Sequence, residues 1–118
     1  MLYYHKEQFL DNILHAVSRS YIPDQIPLEE LLKLLKEPGA SLYKTLEKLE
    51  HTPTTCQESL IADVPSKQEN KELHLVENSN IPVIKIERKV FDQKQQLIEV
   101  YHLICRADCY QFEYKFHL

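Results

Sequence analysis

IPVIKIERKVFDQKQQLIEVYHLIC, residues 81–105, decides how this chain is to be read. Two runs rich in β-branched residues, IPVIKIERKVF and LIEVYHLIC, flank the polar DQKQQ, which is the signature of two strands joined by a turn. Beyond them, in YQFEYKFHL, the residues Tyr110, Phe112, Tyr114, Phe116 and Leu118 alternate with Gln111, Glu113, Lys115 and His117. That period of two predicts a further strand with one buried face, so the C-terminal third is expected to be three consecutive antiparallel strands.

Working outward, the middle of the chain turns helical. In IPLEELLKLLKE, Pro27 stands where a first helical turn tolerates it, Glu29 and Glu30 lie near the positive end of the helix dipole, and Leu28, Leu31, Leu32 and Leu35 form one stripe. A break at PGA precedes SLYKTLEKLE, with Ser41 as N-cap and Leu42, Leu46 and Leu49 on one face. TTCQESLIADV reads as a strand, and Ser66 with Glu69 forms a capping box for a short third helix. At the N-terminus, LYYHKEQFL and ILHAVSRSYIP read as two strands around a turn at Asp11 and Asn12. Helices clustered between strands predict an α+β fold, an antiparallel sheet of about six strands with helices packed on one face.

Bulk properties narrow the function. The 118 residues make one domain with a single ordinary core, and 43% hydrophobic with 27% charged residues is a globular balance. A net charge of −4, with 14 Lys and Arg scattered among 18 acids, argues against a direct grip on DNA or RNA, which needs clustered positive charge. The single glycine, Gly39, excludes Walker-type and dinucleotide-binding loops and leaves no G-x-S-x-G nucleophile elbow. No apolar run approaches the roughly 18 residues of a membrane span, and no signal peptide is evident, so the expected address is the cytoplasm, without membrane partners.

The chemistry-bearing residues have plain readings beside functional ones. Cys105 and Cys109 lack a second pair and C-x-x-C spacing, so they read as structural, with metal or redox chemistry and a pocket-lining thiol as the alternatives. Three cysteines do not make a disulfide framework, and the six histidines show no ligand spacing. No metal or cofactor is implied. EPGASLYKTLE is the most suggestive stretch. It delivers unpaired N–H groups, the Ser41 hydroxyl and the Tyr43 phenol to one helix start, either an anion site or an ordinary capped helix.

In order, Tyr21-Ile22-Pro23, Ser41-Leu42-Tyr43, Ile86-Glu87-Arg88, Glu99, and then Arg106, Asp108, Tyr110 and Phe112 resemble the UTRA domain. This is the effector-binding domain of GntR-type transcription regulators of the HutC branch. The likeness spans nearly the whole chain, making residues 1–118 a single effector-binding domain. It implies a chorismate lyase-like fold and a homodimer without catalysis. It also implies a small anionic effector, such as a sugar phosphate, held between sheet and helices. Operator DNA would be bound only through a winged helix-turn-helix domain, which this sequence lacks together with the opening strand and helix of the effector domain. The sequence is therefore expected to be an N-terminally truncated piece or remnant.

Carried onto this chain, the family's ligand contacts fall on Ser41, Tyr43 and Glu99, which match, and on Lys6, Gln8, Ser18 and Cys105, which depart from an arginine pair, a glutamate and a tyrosine. Lysine and glutamine do not reproduce bidentate arginine. Arg88 matches the family, either as a ligand contact or as an ion pair with a neighbouring strand. The alternatives to a sensor are a dimerisation scaffold with a decayed pocket and a chorismate lyase-like enzyme, for which no matched acid and base is visible.

Overall fold

The computed structural model describes residues 2–76, 80–109 and 111–117. In chain order the elements are β1 (Leu2–Leu10), β2 (Ile13–Ile22), α1 (Leu28–Leu35), α2 (Leu42–Lys48), β3 (Pro53–Asp63), α3 (Lys67–Glu72), β4 (Val83–Asp92) and β5 (Leu97–Arg106), followed by a 3-10 turn at Ala107–Cys109. The strands form one sheet in the order β1-β2-β5-β4-β3, with every neighbouring pair antiparallel.

Local chemistry explains each junction. Asp11 and Asn12 both take positive φ, 50° and 66°, giving the two-residue turn whose twist suits a hairpin. Gly39, at φ 75°, takes a left-handed conformation in the break between α1 and α2. Ser41 caps α2 by accepting the Lys44 N–H at 3.3 Å. At the other end Glu50 turns left-handed, and the His51 N–H reaches back to the Leu46 carbonyl at 2.9 Å, a Schellman closure without glycine. The capping box of α3 is present in both directions, Ser66 to Glu69 and back.

The closure of α2 aims His51 at Asp92. Asp92 Oδ1 accepts the N–H groups of Lys94 and Gln96, both at 2.9 Å, shaping the β4–β5 turn. Its Oδ2 accepts His51 Nδ1 at 3.0 Å, although the side chain is almost wholly removed from solvent. Gln93 reinforces the tie, donating to the Glu50 carbonyl and accepting the Thr52 N–H. One buried carboxylate thus joins the tip of the β4–β5 hairpin to the α2–β3 connection.

The α+β class and the antiparallel sheet are as expected, but two details differ. The sheet has five strands rather than about six, because residues 111–117 adopt no regular structure. Their alternation makes them competent for a strand, but a strand needs a free edge. β5 already pairs with β2 on one side and β4 on the other, so the chain leaving it finds no edge beside it. Tyr110 and Leu118, part of that expected strand, lie outside the described residues.

The helices are also split between faces. Ile22, Ile26, Leu31, Leu46, Val90 and Ile98 bury against α1 and α2, whereas Leu14, Val17, Val83 and Ile104 bury with Leu73, at the end of α3, on the other side. Glu69 and Glu72 of α3 pair with Lys85 and Arg19, which alternation directs to that second face. The stripe on α1 and α2 announces a buried face without saying which side of the sheet supplies it.

Burial pushes the Asp92 carboxyl up, but the hydrogen bonds from Gln96, His51 and Lys94 outweigh it and hold the group below its ordinary value. A depressed folded value means stabilisation that is present above the unfolded value, about 4, and lost as the pH falls through the folded one. Asp92→Ala should lower the unfolding midpoint by several degrees at pH 7. It should also flatten the acid limb of a stability–pH curve followed by circular dichroism; an unaltered curve would count against the tie.

Candidate functional site

Hollows flank the sheet on both faces, and the one on the α3 face is the poorer candidate. It measures about 530 Å³, but its charges satisfy one another: Arg19 with Glu72 at 3.0 Å, Lys85 with Glu69 at 2.7 Å and His102 with Glu87 at 3.1 Å. On the α1/α2 face a hollow of about 380 Å³ adjoins a second, of about 320 Å³, with which it shares Tyr43 and Arg88 and which lies between the sheet and the first turn of α2.

Register builds this second cleft. Lys6 pairs with Ser18 across β1 and β2, while Ser20 pairs with Tyr101 across β2 and β5 and Tyr101 with Arg88 across β5 and β4. Side chains directly opposite in a sheet share a face, so residues from four strands converge on one floor. Glu99 joins them two residues before Tyr101. The start of α2 forms the rim with Ser41, Leu42 and Tyr43, and the Leu42 and Tyr43 N–H groups have no backbone acceptor among the described residues.

A relay of polar contacts spans the cleft. Tyr43 Oη donates to Glu99 Oε1 at 2.9 Å, pinning α2 to the central strand. Arg88 Nε donates to Glu58 Oε2 on β3 at 3.0 Å, and its guanidinium lies 5.0 Å over the Tyr101 ring. Glu99 is only 2% exposed, a buried carboxylate that the Tyr43 hydroxyl partly satisfies. Lys6 forms no ion pair among the described residues.

These contacts move the titrations. Burial, then the Glu99 charge and the hydrogen bond to it, push the Tyr43 phenol up to about 12 against the pull of Arg88. For Arg88, burial works against the charge, but Glu58 and Tyr43 hold the guanidinium above its ordinary value. Tyr101 is raised by burial, partly offset by the Ser18 hydroxyl and Arg88.

Seven of the eight residues singled out from sequence, Lys6, Gln8, Ser18, Ser41, Tyr43, Arg88 and Glu99, line this one cleft. Arg88 forms the expected ion pair with a neighbouring strand and also faces the cleft. Cys105 does not line it. That side chain is fully buried, with Sγ 3.7 Å from the Ile84 carbonyl, and burial pushes its thiol up to about 11, leaving it protonated and unreactive at neutral pH. Ser20, Leu42 and Tyr101 were missed, although Ser20 and Tyr101 stand two residues from Ser18 and Glu99, on the same strand faces. Glu58, which orients Arg88, carried no local signal.

With the cleft described, the comparisons define the class of protein. The UTRA domain family matches residues 8–111, and the chain belongs to it. It is a family of ligand-binding regulatory domains of GntR-type transcription regulators rather than of enzymes.

Among solved structures the chain is similar to PhnF from Mycobacterium smegmatis, with TM-score 0.73 and 20% identity over 91% of this chain and 46% of that one. It is also similar to a GntR-family transcriptional regulator from Enterococcus faecalis, with TM-score 0.79 and 17% identity over 95% and 78% of the two chains. A third is the C-terminal domain of the histidine utilization repressor from Pseudomonas syringae pv. tomato, with TM-score 0.74 and 17% identity over 98% and 79%. The chain therefore spans about half the length of PhnF. No curated protein matches it. No helix among the described residues is long and apolar enough to cross a membrane.

A raised tyrosine value gives a pH signature. The neutral phenol is favoured in the folded state, so its stabilisation is complete below pH 10 and lost as the pH rises toward about 12. Glu99→Gln removes the charge that opposes ionisation. Difference titration at 295 nm against the parent protein should show one tyrosine ionising closer to its ordinary value, whereas superimposable curves would contradict the contact.

Proposed function

We propose that the chain is the ligand-sensing and dimerisation domain of a cytoplasmic GntR/HutC-type transcription regulator, and that its effector is a small anion such as a sugar phosphate. The reading rests chiefly on the convergence of residues from β1, β2, α2, β4 and β5 on one cleft beside Lys6 and Arg88. Lys6 brings a positive charge with no protein partner among the described residues, and Arg88 a second that Glu58 only partly engages. The Leu42 and Tyr43 amides add hydrogen-bond donors at the rim.

Tyr43 and Glu99 then act as the transducing contact. A ligand between α2 and the sheet alters the Tyr43–Glu99 hydrogen bond, which couples that helix to the central strand. Binding shifts the balance between dimer arrangements by its differential affinity for them. Winged helix-turn-helix domains joined to the two copies would carry that shift to operator DNA.

Thermal-shift titration with inorganic phosphate and a panel of sugar phosphates tests the reading. A saturable rise is expected, reaching about 2.7 kcal/mol of added stability at a hundredfold excess over Kd. Lys6→Ala should weaken binding roughly tenfold without lowering the ligand-free midpoint. Silence across the panel would instead favour a dimerisation scaffold.

A further inference from the structure

Two serines of β2 line the cleft, and their hydroxyls are placed differently. Ser18 lies close enough to Tyr101 for its hydroxyl to pull the phenol down. Ser20 is only 5% exposed, yet its hydroxyl meets no hydrogen-bond partner among the described residues. The hydroxyl oxygen is not itself cut off from solvent but opens on the cleft, so alanine here removes no hydrogen bond to another described residue from the ligand-free fold.

Nearby, Glu99 also has unused capacity. Tyr43 occupies Oε1, and Oε2 accepts from no group among the described residues. Glu99 can only accept, whereas Ser20 can both donate and accept. The ligand group lying against them must therefore supply a proton to Glu99 and exchange a bond with Ser20. A hydroxyl does both, and so does an amino group, from which Ser20 can accept; a carboxylate is repelled by Glu99.

We propose that Ser20 is a specificity-determining residue that bonds a hydroxyl or amino group of the effector, restricting the cleft to anions that carry one. This rests on the anion-binding reading of the same cleft. It adds a requirement that charge alone does not impose: an alkyl phosphate of similar size leaves Ser20 unpaired and is discriminated against.

Calorimetric titration of the parent protein and Ser20→Ala with inorganic phosphate, n-propyl phosphate, glycerol 3-phosphate and glucose 6-phosphate tests this. The parent protein should bind at least one of the two hydroxylated phosphates about tenfold more tightly than n-propyl phosphate. Ser20→Ala should collapse that ratio toward one, leave inorganic phosphate and n-propyl phosphate affinities unchanged, and unfold at the same or a higher temperature without ligand. An undiminished ratio in the variant, or no preference in the parent protein while the phosphates still bind, overturns the role of Ser20 and leaves the anion cleft standing. A marked loss of ligand-free stability in the variant shows a structural serine and also overturns it. Failure of all four probes to bind the parent protein removes the anion reading, and the proposal with it.

Discussion

The pairing of Ala16–Tyr21 with Val100–Cys105 holds the molecule together. It brings strands from opposite ends of the chain into the middle of one sheet, at a loop-closure cost that local structure does not repay until both hairpins exist. β5 is then bonded on both sides, leaving β1 and β3 as the edges. Every cleft residue depends on this register. A slip of one position would turn Ser18 and Ser20 to the α3 face and leave Tyr101 and Glu99 without them, because side chains alternate strictly along a strand.

Around that sheet the polar interior is concentrated in two ties. Asp92 joins the β4–β5 turn to the end of α2, and Glu99 joins β5 to its beginning. Both carboxylates are buried and both receive hydrogen bonds, as burial of a charge requires. They differ in completeness. Asp92 receives bonds at both oxygens, which suits a structural role, while Glu99 keeps one oxygen without a partner among the described residues, beside a cleft.

The two faces show the same contrast. On the α3 side, acids and bases neutralise each other across the larger hollow. On the α1/α2 side, a lysine, a buried carboxylate and a serine hydroxyl remain partly uncommitted among the described residues around a smaller one. Volume alone points to the α3 side of the sheet; unmet bonding capacity points to the other.

Local chemistry made much of this legible. The Asp11-Asn12 turn, the Ser41 cap, the Ser66–Glu69 box and the β4–β5 hairpin depend on residues a few positions apart, so their physics is complete within a short window of sequence. The ordered motifs that resemble the UTRA domain carried the expected cleft residues further than spacing alone could. Three outcomes were settled only in the folded chain: the absence of a strand over residues 111–117, the placement of α3 opposite α1 and α2, and the partnership of Arg88 with Glu58. Each depends on which edges and faces remain available after distant segments have paired. Alternation shows that a segment can be a strand, and a stripe shows that a helix must bury one side, but neither says what will be there to receive it.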